Sequence, residues 1–521
     1  MFTQTYTPIT PIGWSVLLGV LPLFILCLLL VTGWIKPAFT YGLVLILTAG
    51  LSGAVWKMPI PIIGGTIFYG ILFALFPLFY MIWSSIFLFK VAEKCGYIDS
   101  IKDTLKLEEK GIEWKVLLIG FGLTAFIDST AGFLAPVAIV TALLVQVGVE
   151  PKKSAIATLS SSAIPAVFGA VGVPVLLLAK VTQQPLPQTI TQMVIFDFIP
   201  AIAAPFITCL ATCGLQSVRR FYKEIIIGGC SYAAATLLSI LYISPYLGAI
   251  IGAITYIVVI FLLSKKQGIY TGERSVKDWV RSWWPFVLLT VCVSVWNIPG
   301  LQTALGRAGT NWPIPFLDHR IITEPPFGNG SMSITWKSTI LASPGTAIIL
   351  TSLLTALTSG IGLRAWFRLL FSSLRSVGMV AFNLSMISSV GFLLVYSGIS
   401  GTLSYPFRNL ADGYMVVAPL MGWLGTFLTG SNAASIALFG GLQSYAAQIT
   451  HLPVVGIAAG FAVAAVGGKM LAPQALEVAV KSSGLASGSE SILLRKIFAF
   501  SFVIPLIAMG VMVIWKLSQT S

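Results

Sequence analysis

The sequence carries very little charge for its length. Only 9% of its 521 residues are Asp, Glu, Lys or Arg, whereas 57% are hydrophobic and the mean hydropathy is +0.93. A water-soluble protein of this size could not cover its surface with so few polar groups. The scarcity of charge therefore excludes a soluble globular protein and indicates an all-α polytopic membrane protein.

Signatures of several other protein classes are missing as well. The six cysteines include no CxxC pair, so neither a metal site nor a disulfide framework is indicated. The sequence has no G-x-x-x-x-G-K-[ST] and no H-E-x-x-H, which argues against ATP-driven transport and against an intramembrane metalloprotease. We therefore expect no metal and no cofactor.

The net charge of +14 does not indicate a nucleic-acid partner. The basic residues occur singly or in twos and threes between apolar runs of about 20 residues, the length of a membrane-spanning helix. Basic residues in such positions set the topology and contact lipid headgroups. The expected partners are thus membrane lipid and a small molecule, with no nucleic acid.

The distribution of the basic residues predicts about twelve spans. By the positive-inside rule, the basic residues of 219–223, 364–375 and 495–496 are cytoplasmic, whereas loop 301–337, poor in Lys and Arg, is outside. Two further apolar stretches fit this count only if each enters and leaves on the same side. We predict that they are re-entrant hairpins from opposite faces, as in an inverted repeat. Fourteen full spans are the alternative.

This topology divides the chain into two halves and a connection. The predicted parts are a first half over 1–223 with hairpin 115–147 and broken span 154–181, connecting spans and an external loop over 224–337, and a second half over 338–521 with hairpin 414–450 and broken span 453–481.

Breaks inside the apolar segments indicate where the site lies. Lipid cannot satisfy backbone groups that a broken helix exposes, so such a break must line a protein or water cavity. The hairpins break at Asp128–Gly132 and Thr429–Ser435, and the spans break at Pro165–Gly172 and Val466–Pro473. Matching interruptions in two halves are a pointer to the binding site of a secondary transporter.

Two charged residues in these breaks could carry the chemistry. Asp128 lies in an apolar stretch where its charge is expensive, which suits a proton carrier; the alternative is a cap for the helix 133–147. Lys469 has apolar residues on both sides and needs a counter-ion, which could be Asp128, a substrate carboxylate or Glu477. A lysine that snorkels to the interface is the alternative there.

Neutral polar residues accompany these charges in both halves. Hydroxyl and amide groups without a negative charge favour an anionic ligand, and a helix N-terminus beyond the first break would add to this preference. The predicted substrate-binding residues are Ser129, Thr130, Gly132, Ser431, Asn432, Ser435, Lys469 and Gln474.

The motifs at these positions resemble the L-lactate permease family. They are DSTAGFLAPVAI from Asp128, PAVFGAVGVP from Pro165, GWLGTFLTGS from Gly422 and GKM from Gly468. The resemblance implies proton-coupled uptake of 2-hydroxymonocarboxylates (L-lactate, D-lactate and glycolate) across a bacterial inner membrane, by a fold with paired re-entrant hairpins. The family pattern differs at two positions, with Glu in place of Asp128 and Asp in place of Asn432. A homodimer is possible.

Three other functions fit these residues less well. A sodium-coupled permease for another organic anion is the alternative, because Asn432 and the carbonyl groups at the hairpin tips could serve a cation. A membrane enzyme with Asp128 and Asp197 as an acid pair would leave the duplicated neutral hairpin tip unexplained. A cation channel is disfavoured because the rings of acidic residues that would select cations are missing.

Overall fold

The computed structural model describes residues 1–520 except 33, 105–110, 133, 267–280 and 487, and this part of the chain is mostly helical. The α-helices are α1 (Ile12–Thr32), α2 (Pro37–Ala54), α3 (Ile60–Phe73), α4 (Tyr80–Lys94), α5 (Tyr97–Thr104), α6 (Ile112–Lys115), α7 (Thr124–Thr130), α8 (Ala135–Gln146), α9 (Pro151–Ser161), α10 (Gly169–Val181), α11 (Leu186–Cys213), α12 (Leu215–Arg220), α13 (Tyr222–Tyr242), α14 (Gly248–Lys266), α15 (Trp284–Trp296), α16 (Pro299–Gly306), α17 (Pro344–Thr358), α18 (Leu363–Ser376), α19 (Gly378–Tyr396), α20 (Ile399–Ser404), α21 (Tyr414–Thr429), α22 (Asn432–Ile449), α23 (Val454–Lys469), α24 (Pro473–Ser483), α25 (Glu490–Ser501) and α26 (Val503–Thr520).

Short irregular helices and strands complete the fold. The π-helical segments are Ala74–Phe79 and Val116–Leu123, and the 3-10 turns are Ile164–Val167, Tyr405–Phe407 and Ala411–Gly413. The strands are β1 (Phe2–Thr3), β2 (Thr310–Pro313), β3 (Ile321–Thr323), β4 (Gly330–Ser331) and β5 (Thr335–Ser338).

The apolar helices confirm a polytopic membrane protein. Within the described residues, nine helices are long and apolar enough to cross a membrane, or eleven if each of two bent pairs counts as one span. The 15-residue helix α17 lies at the position of the remaining predicted span. A helix is therefore present wherever the sequence predicts a span, while the number of crossings stays a prediction.

The first predicted hairpin is a pair of antiparallel helical arms. One arm runs from α6 through the π-helical segment to α7, and α8 returns after a short turn. The Lys115 ammonium donates to the carbonyl of Val147 (2.7 Å), which joins the open ends of the two arms. The first arm is longer than predicted, because the helix continues through Asp128 to Thr130.

The second predicted hairpin consists of α21 and α22. Gly430 ends α21 with φ +71°, a conformation that glycine adopts without steric cost, and Ser431 caps the helix that follows. Near the open end, the Tyr414 hydroxyl donates to Oε1 of Gln443 (2.8 Å).

The two hairpins open at opposite ends of one long helix. Helix α11 has 28 residues and is therefore about 42 Å long. At its beginning, the open end of the second hairpin is bonded through Ser444 to the carbonyl of Thr182. Beyond its end, Ser217 donates to Glu113 at the open end of the first hairpin (2.8 Å). The tips of both hairpins therefore point inwards, towards each other.

A small β-structure covers the end of the molecule at which the second hairpin opens. The N-terminal strand β1 pairs in parallel with β3 of loop 301–337, and β2 pairs with β5. The Gln4 amide donates to the carbonyls of Val395 and Tyr396 (both 2.9 Å), which fixes the N-terminal segment on the end of α19. The N-terminus and loop 301–337 therefore lie on the same side.

Helix α18 lies where the sequence showed only a basic turn between spans. Apolar side chains such as Phe367 and Phe371 are exposed on it together with Arg364 and Arg368. An amphipathic helix with exposed apolar and basic residues is typical of the membrane interface.

Candidate functional site

The centre of the molecule contains an ion pair between the two halves of the chain. The Lys469 ammonium lies 2.7 and 2.8 Å from the two carboxylate oxygens of Asp128, and both residues are buried, 5% and 1% exposed. The ammonium also donates to the carbonyl of Ser162 (2.9 Å). Lys469 thus contacts the first of the three counter-ions considered from the sequence, together with a backbone group of the first broken span.

Asp128 and Lys469 each lie near the end of a helix. Asp128 lies in the last full turn of α7, and Lys469 is the last residue of α23, where the positive charge is favourable next to the free carbonyls. Ser162 follows directly after α9, so its carbonyl has no helical partner further along the chain. Three interrupted helices therefore meet at one ammonium group.

The alternative interpretation, that Asp128 caps the returning helix of the hairpin, is wrong. Helix α8 begins after Leu134, has no side-chain cap and carries a proline in its first turn, which lacks the N–H that a cap would satisfy. Asp128 lies inside the preceding helix and directs both oxygens to Lys469. Glu477 instead pairs with Lys481 on the exposed face of α24.

The ion pair borders a cavity of about 80 Å³ between the hairpin tips and the first broken span. A cavity of this size has room for a small molecule or a few waters. It is lined by Ile82, Asp128, Gly132, Ala166, Gly169, Ala170, Val173, Pro174, Leu384, Gly430, Ser431, Asn432, Ala433 and Lys469. Apart from the ion pair, the lining consists of apolar side chains, backbone and the neutral polar residues of the second hairpin.

Asn432 is the principal neutral polar group of this lining. Its amide nitrogen is 3.4 Å from the carbonyl of Ala166, which links the second hairpin tip to the first broken span. Its oxygen Oδ1 is buried and has no hydrogen-bond partner among the described residues. A buried amide oxygen without a partner is costly, so this atom is available to a ligand donor.

The break in the first broken span lies at the cavity, which Ala166, Gly169 and Ala170 line. After the 3-10 turn Ile164–Val167, residues Ala170, Val171 and Gly172 adopt left-handed conformations with φ +45°, +59° and +79°. This conformation is unusual for a β-branched residue, and such strain is concentrated at functional sites. The predicted break at Pro165–Gly172 is confirmed.

The break between the two helices of the second broken span is shorter than predicted. Helix α23 ends at Lys469 and α24 begins at Pro473. The span packs tightly on the second hairpin, since a methyl group on Gly468 would lie 2.0 Å from the carbonyl oxygen of Trp423. This close approach holds Lys469 at the level of the hairpin tips.

Several predicted binding residues do not face the small cavity. Ser129 and Thr130 donate their hydroxyls to the carbonyls of Ala125 and Phe126 in their own helix, which continues where the sequence predicted a break. The Ser435 hydroxyl donates to Gly422 between the arms of the second hairpin (3.3 Å). The predicted residues that the cavity does bring together are Asp128, Gly132, Ser431, Asn432 and Lys469.

A second cavity, of about 530 Å³, adjoins the first and shares Leu384, Gly430 and Ser431 with it. Gln474 lines this larger cavity. The cavity extends to Lys36 and Met379, near the start of α2 and of α19, next to the basic helix α18. By the positive-inside rule, this is the side that the sequence predicts to be cytoplasmic.

Sequence reasoning missed the groups that contribute only backbone or apolar surface. The carbonyls of Ser162 and Ala166 and the side chains of Ile82 and Leu384 carry no charge that would distinguish them. The proline at 165 was the available signal for the two carbonyls, because it marks the break from which they are exposed.

Asp197 does not join Asp128 in the cavity lining. It is buried in α11, and its Oδ1 atom has no hydrogen-bond partner among the described residues. Within the same part of the chain, no group of three or more His, Cys, Asp or Glu side chains could hold a metal ion.

Comparison with known proteins gives one consistent family. Residues 15–518 match the family profile described as "L-lactate permease". The L-lactate permease of Salmonella typhi is 30% identical over 527 residues, covering 95% of this chain and 94% of that protein. The glycolate permease GlcA of Escherichia coli K12 is 29% identical over 530 residues, with the same coverage of both chains.

The fold is similar to that of solved structures. Among them is MtrF from Neisseria gonorrhoeae, whose structure is described as illuminating a class of antimetabolite efflux pumps. The alignment has a TM-score of 0.51 at 12% identity and covers 92% of this chain and 95% of MtrF. At this identity the similarity concerns the fold alone.

Proposed function

We propose that this chain, which belongs to the L-lactate permease family, takes up small 2-hydroxymonocarboxylates together with protons. The family consists of permeases and not enzymes, and its named relatives transport lactate and glycolate. The observation that carries the proposal is the buried contact between Asp128 and Lys469 at the cavity. The coupling proton and the location in a bacterial inner membrane are parts of the proposal.

In the empty carrier, Asp128 neutralises Lys469. Removing one partner of a buried ion pair leaves an uncompensated charge, which costs several kcal/mol, about 3–5. A substrate carboxylate can therefore replace Asp128 as the partner of Lys469 only if Asp128 loses its negative charge at the same time. Protonation of Asp128 achieves this, and it makes proton binding and anion binding depend on each other.

The same exchange keeps the site electrically neutral. The empty site holds one carboxylate and one ammonium, and the loaded site would hold a protonated acid, an ammonium and the substrate carboxylate. States with only the proton or only the anion bound carry a net charge in a low-dielectric cavity and are disfavoured. A carrier of this kind moves the proton and the anion together.

The neutral polar groups suit the 2-hydroxyl of the substrate. Asn432 Oδ1 lacks a partner among the described residues and borders the cavity. A hydroxyl both donates and accepts, so it can satisfy the oxygen or the nitrogen end of an amide. The apolar side chains of Ile82, Val173 and Leu384 would surround the short carbon chain.

Sodium coupling is less well supported by the site. Sodium requires several oxygen ligands, and Asp128, the acidic residue among the described lining residues, is already bound by Lys469.

Uptake into proteoliposomes distinguishes proton coupling from sodium coupling if the sodium concentration is varied at fixed pH. We expect uptake of L-lactate, D-lactate or glycolate under an inward proton gradient, loss of that uptake with a protonophore, and no effect of sodium. Uptake of none of the three, or uptake that follows sodium, would contradict the proposal.

A further inference from the structure

The outer surface between α2 and α19 contains an open apolar groove of about 840 Å³. Every side chain in its lining is apolar. Phe39 and Ile46 of α2 and Met379 of α19 line it and are 70%, 72% and 62% exposed. Large apolar side chains that are exposed next to each other mark a surface that another apolar molecule covers.

The groove follows one face of α2. From Ile35 to Ile46, its lining residues recur every three or four positions, which is the spacing of residues on one helix face. The helical part, from Ala38 to Ile46, is about 12 Å long, and Ile35 extends the groove beyond the start of the helix. One leaflet contributes half of a hydrocarbon core about 30 Å thick, or about 15 Å. The groove is therefore comparable in length to one leaflet.

Two basic residues lie at the end of the groove where α2 and α19 begin. Lys36 is exposed, directly follows Ile35 of the groove, and lines the large cavity together with Met379. Arg375 is exposed in the last turn of α18, three residues before Gly378 of the groove, so the two Cα atoms are at most about 11 Å apart. Neither α2 nor α18 contains an acidic residue.

The position of Lys36 is unfavourable without an anion. Lys36 is the N-cap residue of α2, where the helix dipole places a positive partial charge next to the ammonium-bearing residue. Lys469, at the end of α23, has the opposite and favourable arrangement. Trp34, two residues before Lys36, is exposed and is of the residue type that is enriched at the membrane interface. This end of the groove therefore combines positive charge with the level of the lipid headgroups.

We propose that an anionic phospholipid binds here, with its phosphate at Lys36 and Arg375 and one acyl chain in the groove. A soluble anion would use the charges and leave the groove uncovered, whereas a phospholipid uses both. The basic end lies on the side that the sequence predicts to be cytoplasmic, where anionic lipids attract basic residues. Binding of this lipid does not depend on the proposed function.

The bound lipid would lie against the large cavity. The groove and that cavity share Ala38, Phe39 and Met379 in their linings. The large cavity in turn shares Gly430 and Ser431 with the cavity at the ion pair. The acyl chain would therefore contact the outer wall of the space that adjoins the central site.

Native mass spectrometry of the purified, delipidated protein tests the charged end of the site. The full chain is titrated in detergent with dioleoylphosphatidylglycerol or with the zwitterionic dioleoylphosphatidylcholine. Lys36→Gln and Arg375→Gln should each weaken binding of phosphatidylglycerol about 5-fold, because a basic residue near an anionic headgroup contributes about that factor. Lys36→Arg should bind as the wild type does. Lys57→Gln is the matched control, since Lys57 is exposed beyond the opposite end of α2.

A pair of glycines on α2 tests the groove itself. Gly42 lines the groove and Gly50 does not, and no atom lies within 4 Å of a methyl group added at either position. Gly42→Leu fills the groove, so it should weaken binding of phosphatidylglycerol at least about 10-fold. Gly50→Leu adds the same side chain to the same helix and should bind as the wild type does. Unfolding temperatures of both variants, measured without lipid, should stay close to that of the wild type.

Three results would overturn the proposal. The first is equal affinity for the two phospholipids together with no effect of Lys36→Gln. The second is an equal loss of affinity in Gly42→Leu and Gly50→Leu. The third is displacement of phosphatidylglycerol by L-lactate in the wild type but not in Lys36→Gln, which would assign Lys36 to the soluble anion.

Discussion

At the residue scale, Asp128 and Lys469 depend on each other. Both are buried, and each satisfies the other's charge. Sequence reasoning could identify them, because a charge inside an apolar segment is too expensive to be accidental. It could not foresee that Ser129 and Thr130 bond back to their own helix, because Asp-Ser-Thr also matches the residues that cap a helix.

Loss of one member of the pair should destabilise the protein more than loss of both. Lys469→Met leaves Asp128 buried without a counter-ion, so the free energy of unfolding should fall by about 3–5 kcal/mol if Asp128 stays charged. Asp128→Asn/Lys469→Met should recover most of that loss. Thermal unfolding in detergent of the wild type, the single variants and the double variant measures this coupling. Additive effects of the two substitutions would mean that the pair does not form.

A matched control uses the exposed pair of Glu477 and Lys481. Lys481→Met removes the same kind of contact at a position open to solvent, where such pairs contribute about 0–1 kcal/mol. Its thermal stability should stay close to that of the wild type.

At the scale of elements, the breaks in the helices and the hairpins were readable from the sequence, whereas the partners of the N-terminal strand were not. Gly, Pro and polar residues inside apolar runs marked the breaks at Pro165 and Gly430 because they interrupt a strong periodic signal. The pairing of Phe2 with Ile321 joins residues more than 300 positions apart, and two short strands have no pattern from which such a pairing could be derived.

The close packing of α23 on α21 predicts a strong effect of a single methyl group. Gly468→Ala would place its Cβ 2.0 Å from the carbonyl oxygen of Trp423, so the broken span must move away from the hairpin. We expect a loss of about 1–3 kcal/mol in stability and a larger loss of transport, because Lys469 moves with the helix. Gly510→Ala on α26 is the control, since no atom lies within 4 Å of its added methyl group. Unfolding temperature and uptake rate of both variants check this.

The first hairpin makes a prediction about sidedness. If 115–147 enters and leaves on the cytoplasmic side, a cysteine in place of Lys152 should not react with an impermeant thiol reagent added outside. A cysteine in place of Gln184, at the opposite end of the broken span, should react. Both are introduced into a chain whose six native cysteines have been replaced. Outside labelling at position 152 would replace the hairpin with a full crossing.

At the scale of the whole molecule, the two halves contribute different chemistry to one cavity. The first half supplies the acid and the backbone of a broken span, and the second half supplies the lysine and the neutral amide. The ion pair joins a residue of each half. If the proposed function is correct, protonation of Asp128 breaks this link, and the coupling proton then acts on the contact between the halves.

The proposed exchange of partners at Lys469 can be tested by measuring the affinity for L-lactate as a function of pH in the wild type and in Asp128→Asn. In the wild type, lactate binding requires a proton on Asp128, so the affinity should fall as the pH rises, by up to about 10-fold per pH unit. Asparagine resembles the protonated acid and leaves Lys469 free, so Asp128→Asn should bind lactate with an affinity that does not depend on pH. If the variant instead shows the same pH profile as the wild type, the proton is carried elsewhere and the proposed exchange at Lys469 is wrong.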